Sequence, residues 1–166
     1  MPRSKKPIKK RIILEDPLYS SRLVERLINK IMESGKKSVA QKIVYGAFEK
    51  VKESGNDPLR TFEEALFNTS PKIEVRPRRI GGASYLVPME VRGPRREALA
   101  LKWIINSAQK RPSREFVDKN FKYPIMASKL ASEILEASKN QGAAVAKREE
   151  MHRVAEANKA FAHFRW

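Results

Sequence analysis

The spacing of apolar positions predicts helices along most of this chain, with one break in the middle. After Ser20 or Ser21, either of which can cap a helix, Leu23, Leu27, Ile28 and Ile31 fall on one helical face that ends at Gly35. Lys36 and Lys37 open a second helix with a four-residue ladder of Val39, Ile43, Ala47 and Val51, widened by Val44 and Phe48, before Gly55. Asp57-Pro58 suits helix initiation, with a capping carboxylate followed by proline at the first helical position. Leu59, Phe62 and Leu66 give that third helix its apolar face, which stops before Pro71.

From Ile73 the period changes from helical to about two, centred on Gly81-Gly82, a pair that permits the positive φ angles of a tight turn. A β-hairpin over 73–91 follows, in which Ile80 faces Ala83, Arg78 faces Tyr85 and Arg76 faces Val87. Pro77 and Pro88 interrupt its ladder, and both faces carry polar or proline positions, so the ribbon is expected to project from the helices. Pro94 starts a fourth helix with a stripe of Leu101, Ile104, Ile105 and Ala108, with Ala98 behind it and Trp103 at its edge, ending at Arg111-Pro112. A charged loop over 112–124 is long for a compact domain. The fifth helix repeats Met126, Leu130, Ile134 and Ala137 until Asn140-Gln141-Gly142, and a sixth, at about 144–158, touches the body through Val145, Val154 and Ala155.

The fold class is therefore mostly α: a single domain of about six helices with a protruding β-hairpin arm and a basic N-terminal extension. Residues 1–19 form the basic arm, 20–158 the helical domain with the hairpin at about 73–91, and 159–166 an aromatic and basic tail. The 166 residues suit one domain, and 41% apolar residues suffice for one core. The arm, with Pro2, Pro7 and Pro17, is expected to order only on a partner.

Charge changes the picture most. The net charge is +16, and its distribution is uneven. Residues 1–11 carry Arg3, Lys5, Lys6, Lys9, Lys10 and Arg11 with no acid. Residues 72–96 carry seven Lys and Arg against Glu74 and Glu90, so these 36 residues hold eleven of the sixteen charges. Concentration on two appendages is an electrostatic footprint for a polyanion, not a generally solubilised surface. The arm as a solvated tail is the bland alternative; an arm that releases counterions from RNA phosphates is the better reading.

Arg76, Arg78 and Arg79 beside Tyr85 combine phosphate contacts with a ring on which a base can stack, against the alternative of a ribbon packed on its own domain. Gly35-Lys36-Lys37 and Gly93-Pro94-Arg95-Arg96 each put paired cations at a helix start, where they oppose the local dipole. A phosphate explains that placement better than stability does, although the first is also compatible with an ordinary interhelix turn. The terminal aromatics are open between a core plug and an RNA or protein contact.

Other chemistry is thin. With Cys 0 there is no thiolate nucleophile, disulfide framework or cysteine zinc site, and a reducing compartment is favoured. Glu149 and His152 have metal-pair spacing, but a second pair and further glutamates are missing, and a surface ion pair is the better reading. No nucleotide-binding glycine loop or catalytic constellation emerges, so neither an enzyme, a cofactor nor a small-molecule substrate is expected. No run approaches the roughly 18 apolar residues of a membrane span, Ile12-Ile13-Leu14 is too short for a signal segment, and the prolines near the start argue against a transit peptide.

Several stretches stand in a familiar order: Asp16-Pro17, Gly35-Lys36-Lys37-Ser38 and Ile43-Val44-Tyr45, then Arg78-Arg79-Ile80-Gly81-Gly82-Ala83 with Val87-Pro88. Arg96-Glu97-Ala98-Leu99-Ala100-Leu101, the run Lys147 to Arg153 and the segment Ala155 to Trp166 continue it almost end to end. The chain resembles the bacterial type of small-subunit ribosomal protein seven. That resemblance implies a helical domain with a hairpin that binds the 3′ major domain of small-subunit ribosomal RNA and nucleates assembly of the subunit head. It implies rRNA contacts at Arg3, Lys5, Lys6, Lys9, Lys10, Arg11, Lys36, Lys37, Arg76, Arg78, Arg79, Arg92, Arg95, Arg96, Lys110 and Arg111. Gly81, Gly82 and Tyr85 would lie near the exit-site tRNA and the mRNA. The implied protein partners are small-subunit proteins eleven and nine, on a cytoplasmic bacterial or an organellar ribosome. The loop from about Ser113 to Tyr123 looks longer than the family's, so contacts are not carried across it. The rival readings are a DNA-bending architectural protein, separable by competition between duplex DNA and structured RNA, and an RNA-modifying enzyme, separable by turnover of labelled RNA.

Overall fold

The computed structural model describes residues 12–116 and 122–164. The candidates Arg3, Lys5, Lys6, Lys9, Lys10 and Arg11 lie outside the described residues, as do 117–121 of the charged loop and the last two residues of the tail. Among the described residues the chain forms six α-helices and one two-stranded sheet. The helices are α1 (Arg22–Ile31), α2 (Lys37–Glu53), α3 (Pro58–Thr69), α4 (Gly93–Lys110), α5 (Ile125–Ser138) and α6 (Ala143–Ala157). The strands are β1 (Ile73–Ile80) and β2 (Ala83–Glu90), and short 3-10 helices cover Ser113–Phe116 and Lys159–Phe164.

The predicted helix boundaries hold where their signals are local. Asp57 caps α3, its carboxylate accepting from the Leu59 N–H at 3.3 Å, with Pro58 in the first turn. The first start is less conventional: Ser21 occupies the cap of α1 in an extended conformation but its side chain makes no capping hydrogen bond. Instead Asp16 organises the entry. It is buried, accepts from the N–H groups of Leu18 and Tyr19 at 3.1 and 3.0 Å, and receives the Tyr45 hydroxyl at 2.6 Å. Tyr19 packs edge-on against Phe48, with ring centroids 5.0 Å apart, so the root of the arm is part of the helical body.

α5 is the axis of the core, packed against α2, α3 and α4. Its Ala127, Leu130, Ala131, Ile134 and Ala137 are all buried, and small residues let the surrounding helices approach. The closest approach is at Gly46 of α2, where a Cβ would lie 3.2 Å from Tyr123 and 3.4 Å from Ala127. The buried face of α2 differs from the expected ladder. Ala40, Val44, Ala47, Phe48 and Val51 are buried, whereas Val39 is 50% exposed and Ile43 only partly covered. In α1, Val24 is buried and Leu23 partly so, because α1 meets α2 and α4 on two sides. In α4, Ala98 is exposed and Ala100 buried, since the opening turns of that helix face solvent; Trp103 is almost wholly covered.

The hairpin has the predicted register: Ile80 pairs with Ala83, Arg78 with Tyr85 and Arg76 with Val87. Gly81 and Gly82 adopt φ of +55° and +89°, the left-handed pair that a two-residue turn requires and that a Cβ would strain. The base of the ribbon is buried at Val87 and Val91, while residues 81–84 at its far end are exposed. The hairpin therefore projects only over its outer half, its flank being covered by α6 and by the 3-10 helix of the tail.

Candidate nucleic-acid interface

The alternation of β1 separates its arginines. Arg76 and Arg78 lie on the same face as Glu74, Tyr85 and Val87, whereas Arg79 lies on the opposite, outward face with Leu86. The three arginines grouped in the sequence thus address two sides of the ribbon.

Glu74 is the organiser of the first side. Its carboxylate is buried, receives Arg76 Nε at 2.6 Å, and receives Arg95 Nε from the start of α4 at 3.2 Å. One carboxylate thus holds two guanidinium groups, each about half exposed, and the excess positive charge faces solvent. Arg92 caps α4 with its backbone, accepting the N–H groups of Arg95 and Arg96 at 3.0 and 2.9 Å. Arg96 is half-buried, reaches the Val91 carbonyl at 3.4 Å, and its Nε is buried without a hydrogen-bond partner among the described residues. The hairpin base and the α4 N-terminus form one cationic surface, a juxtaposition that a carboxylate in the middle of a basic ribbon hinted at without locating.

The Gly35-Lys36-Lys37 turn lies elsewhere. Ser34 and Gly35 both adopt left-handed φ, of +52° and +74°, and Lys36 caps α2. Lys37 pairs at 2.5 Å with the nearly buried Glu25 of α1, which also receives Asn29 at 3.2 Å; Lys36 is exposed. Lys37 is thus anchored by Glu25 yet remains about half exposed, beside the exposed Lys36.

Two of the expected contact residues are engaged within the chain. The partly exposed Tyr85 ring packs against Phe161 and Phe164 of the tail at centroid separations of 5.0 and 6.0 Å. Phe161 and Phe164 accordingly seat on the hairpin, not as a plug in the helical core, because the core is already closed by α5 and its neighbours. Arg111 is engaged by two glutamates. Its side chain is 19% exposed and binds Glu133 at 2.6 and 2.8 Å and Glu136 by two further hydrogen bonds, which hold the guanidinium yet more firmly charged. Lys110 beside it is exposed. Glu133, fully buried, also accepts the Ala144 N–H at 2.9 Å, so the cluster clamps the start of α6 onto the end of α4.

His152 is likewise structural. Its Nε2 accepts the Lys72 N–H at 3.1 Å, which fixes the entry to β1, and burial together with Arg148 and Lys72 pulls its pKa below the ordinary range. Glu149 pairs with Arg148 at 3.2 Å. Arg148 also donates to the Asn68 carbonyl, and Asn68 in turn donates to the Ala137 and Ser138 carbonyls at 3.0 and 2.8 Å, joining α3, α5 and α6. These ties had no signal in the sequence beyond a mixed-charge helix.

Comparison with known proteins accounts for this construction. The family described as ribosomal protein S7p/S5e matches residues 2–159. This chain belongs to that family. A small ribosomal subunit protein uS7 from Caldanaerobacter subterraneus subsp. tengcongensis is 54% identical, and one from Carboxydothermus hydrogenoformans 53% identical, each over 167 aligned positions covering all of both chains. One from Thermodesulfovibrio yellowstonii is 53% identical over 160 positions, 96% of each chain. The chain is a bacterial-type structural constituent of the small ribosomal subunit, an RNA-binding protein of translation and not an enzyme. Membership of the subunit gives it ribosomal RNA and other ribosomal proteins as partners.

Proposed function

We propose that the protein binds the 3′ major domain of small-subunit rRNA on the surface made by the hairpin base and the α4 N-terminus, and that it thereby nucleates assembly of the subunit head in the bacterial cytoplasm. The observation that carries this reading is Glu74 holding Arg76 and Arg95 together, with Arg92, Arg96 and Arg78 around them. Two guanidinium forks set by one buried carboxylate are preorganised for phosphates that lie close together, as at a junction of RNA helices. Lys36 and the basic arm extend the footprint to other strands, and Lys110 supplies a peripheral charge; Arg111 serves the fold. The exposed tip at Gly81 and Gly82 is small enough to approach the exit-site tRNA and the mRNA closely. Proteins eleven and nine of the subunit are the protein neighbours we assign to it.

Binding to a transcript of the 3′ major domain, measured as a function of salt, tests the reading. If about six to ten phosphates are neutralised, affinity falls by roughly three to five orders of magnitude between about 50 and 200 mM salt. Arg76→Ala with Arg95→Ala, made in a Glu74→Gln background so that no buried carboxylate is left without a cation, weakens binding and flattens that slope, while the helical circular dichroism is unchanged. A flat salt response of the wild type, or equal affinity in that variant, refutes the proposed surface.

A further inference from the structure

The last turn of α3 presents Phe67 to solvent at 83% exposure, the most exposed aromatic among the described large hydrophobics. A single exposed apolar residue needs no explanation by itself. This one forms part of the wall of a hollow of about 430 Å³, whose other lining residues are Asn68, Ser70, Lys72, Arg96, Arg148 and His152, three of them cations and none a carboxylate. Glu149, which is not part of the wall, is paired with Arg148.

The charges around the hollow differ in how far they are committed. Arg148 is held by the Asn68 carbonyl and Asn140, where it offsets the negative end of the α3 dipole that would otherwise repel an anion. Lys72 is exposed, and neither it nor Arg96 makes an ion pair among the described residues. Arg96 keeps a buried Nε–H with no acceptor, although burial of an unpaired guanidinium N–H is costly. Because Arg96 also belongs to the α4 N-terminal surface, the hollow is the continuation of the cationic patch centred on Glu74.

We propose that Phe67 is a stacking platform for one unpaired nucleotide of the bound RNA, its base on the ring and its phosphate on Lys72 and Arg96. This rests on the RNA-binding reading above and adds a base contact to a surface otherwise made of phosphate contacts. The chemistry selects RNA over an apolar protein partner: an aromatic face ringed by cations without acids matches a base with its phosphate. Stacking is sequence-tolerant, so the site takes any unpaired base, the larger purine faces best.

The test uses the full chain and a transcript of the 3′ major domain of small-subunit rRNA. Phe67→Ala should lower affinity about 5- to 150-fold, the range of one base-aromatic stack, with an unchanged salt slope because no ion is released. Phe67→Trp should restore affinity, and its added indole emission should be quenched on binding, against a background from Trp103 and Trp166 measured in the wild type. Lys72→Ala should lower the salt slope by about one contact. The exposed position leaves the core intact, and an unchanged melting temperature in Phe67→Ala checks that. Equal RNA affinity in Phe67→Ala, while the wild type binds, overturns the stacking site and leaves the RNA surface standing. Unchanged RNA affinity with lost recruitment of another small-subunit protein overturns it in favour of a protein contact. A wild-type chain with no salt-sensitive RNA affinity removes the underlying reading and this site with it.

Discussion

Replacing Arg111 by alanine leaves Glu133 as a fully buried carboxylate stripped of its cation. In the native chain Glu133 has three hydrogen bonds, from Arg111 Nε at 2.8 Å, Arg111 Nη2 at 2.6 Å and the Ala144 N–H at 2.9 Å; the substitution keeps only the last. Glu136 loses the same partner but is 43% exposed, so water compensates it and its share of the cost is small. Glu133 decides the outcome. Breaking a buried pair by removing one partner costs about 3–5 kcal/mol, and Arg111 is only 19% exposed, which puts this pair in that class. At about 2–4 °C per kcal/mol for a chain of this size, the melting temperature falls by roughly 6–20 °C. Thermal unfolding followed by far-ultraviolet circular dichroism measures it. Arg111→Met combined with Glu133→Gln removes both charges, keeps an acceptor for the Ala144 N–H and restores most of the loss, because neither ion then has to be desolvated. A loss under about 1 kcal/mol in Arg111→Ala, or a double variant no better than the single, refutes the assignment of Arg111 to the fold. Arg111→Lys, which keeps the charge but not the planar fork, should lie between wild type and alanine.

Two further predictions concern protonation. The His152 imidazole is held neutral, its pKa lowered by burial and by Arg148 and Lys72, so its contribution to stability is complete above the ordinary value of 6.5 and is lost as the pH falls through the folded value. Denaturant midpoints between about pH 7 and 5 should therefore decline in the wild type, and the His152→Asn variant should flatten that decline; an equal slope in both sinks the idea. The Tyr45 phenol is pushed up to about 12 from an ordinary 10 by burial and by its hydrogen bond to Asp16, so it stabilises the fold fully below pH 10 and loses that effect as the pH rises through 12. In Asp16→Ala the Tyr45 titration, read from phenolate absorbance, should move down toward 10 and the chain should lose about 1–3 kcal/mol; a phenol still titrating near 12 would show that Asp16 contributes nothing.

What was legible in the sequence was what depends on neighbours along the chain. The Asp57-Pro58 start needs only one carboxylate and one fixed φ, and the Gly81-Gly82 turn needs only two residues without Cβ, so helix entry and hairpin register could both be read directly. Hydrophobic period likewise set the number and order of the helices, and charge density together with the resemblance set the partner class. The tertiary structure decided which side of each element is inside and which charges are already paired. α2 buries Ala40 and Val44 and leaves Val39 half exposed, and its Gly46 lies close against Ala127 of α5, a contact between positions about eighty residues apart. Arg95 and Arg111 are both arginines at the ends of α4. One shares a buried glutamate with Arg76 and still faces water, while the other is enclosed between two glutamates. Tyr85 is covered by an aromatic tail that starts more than seventy residues later. Local conformation is a matter of a few adjacent side chains, but whether a cation or a ring remains available to RNA depends on partners that only folding brings within a few ångströms.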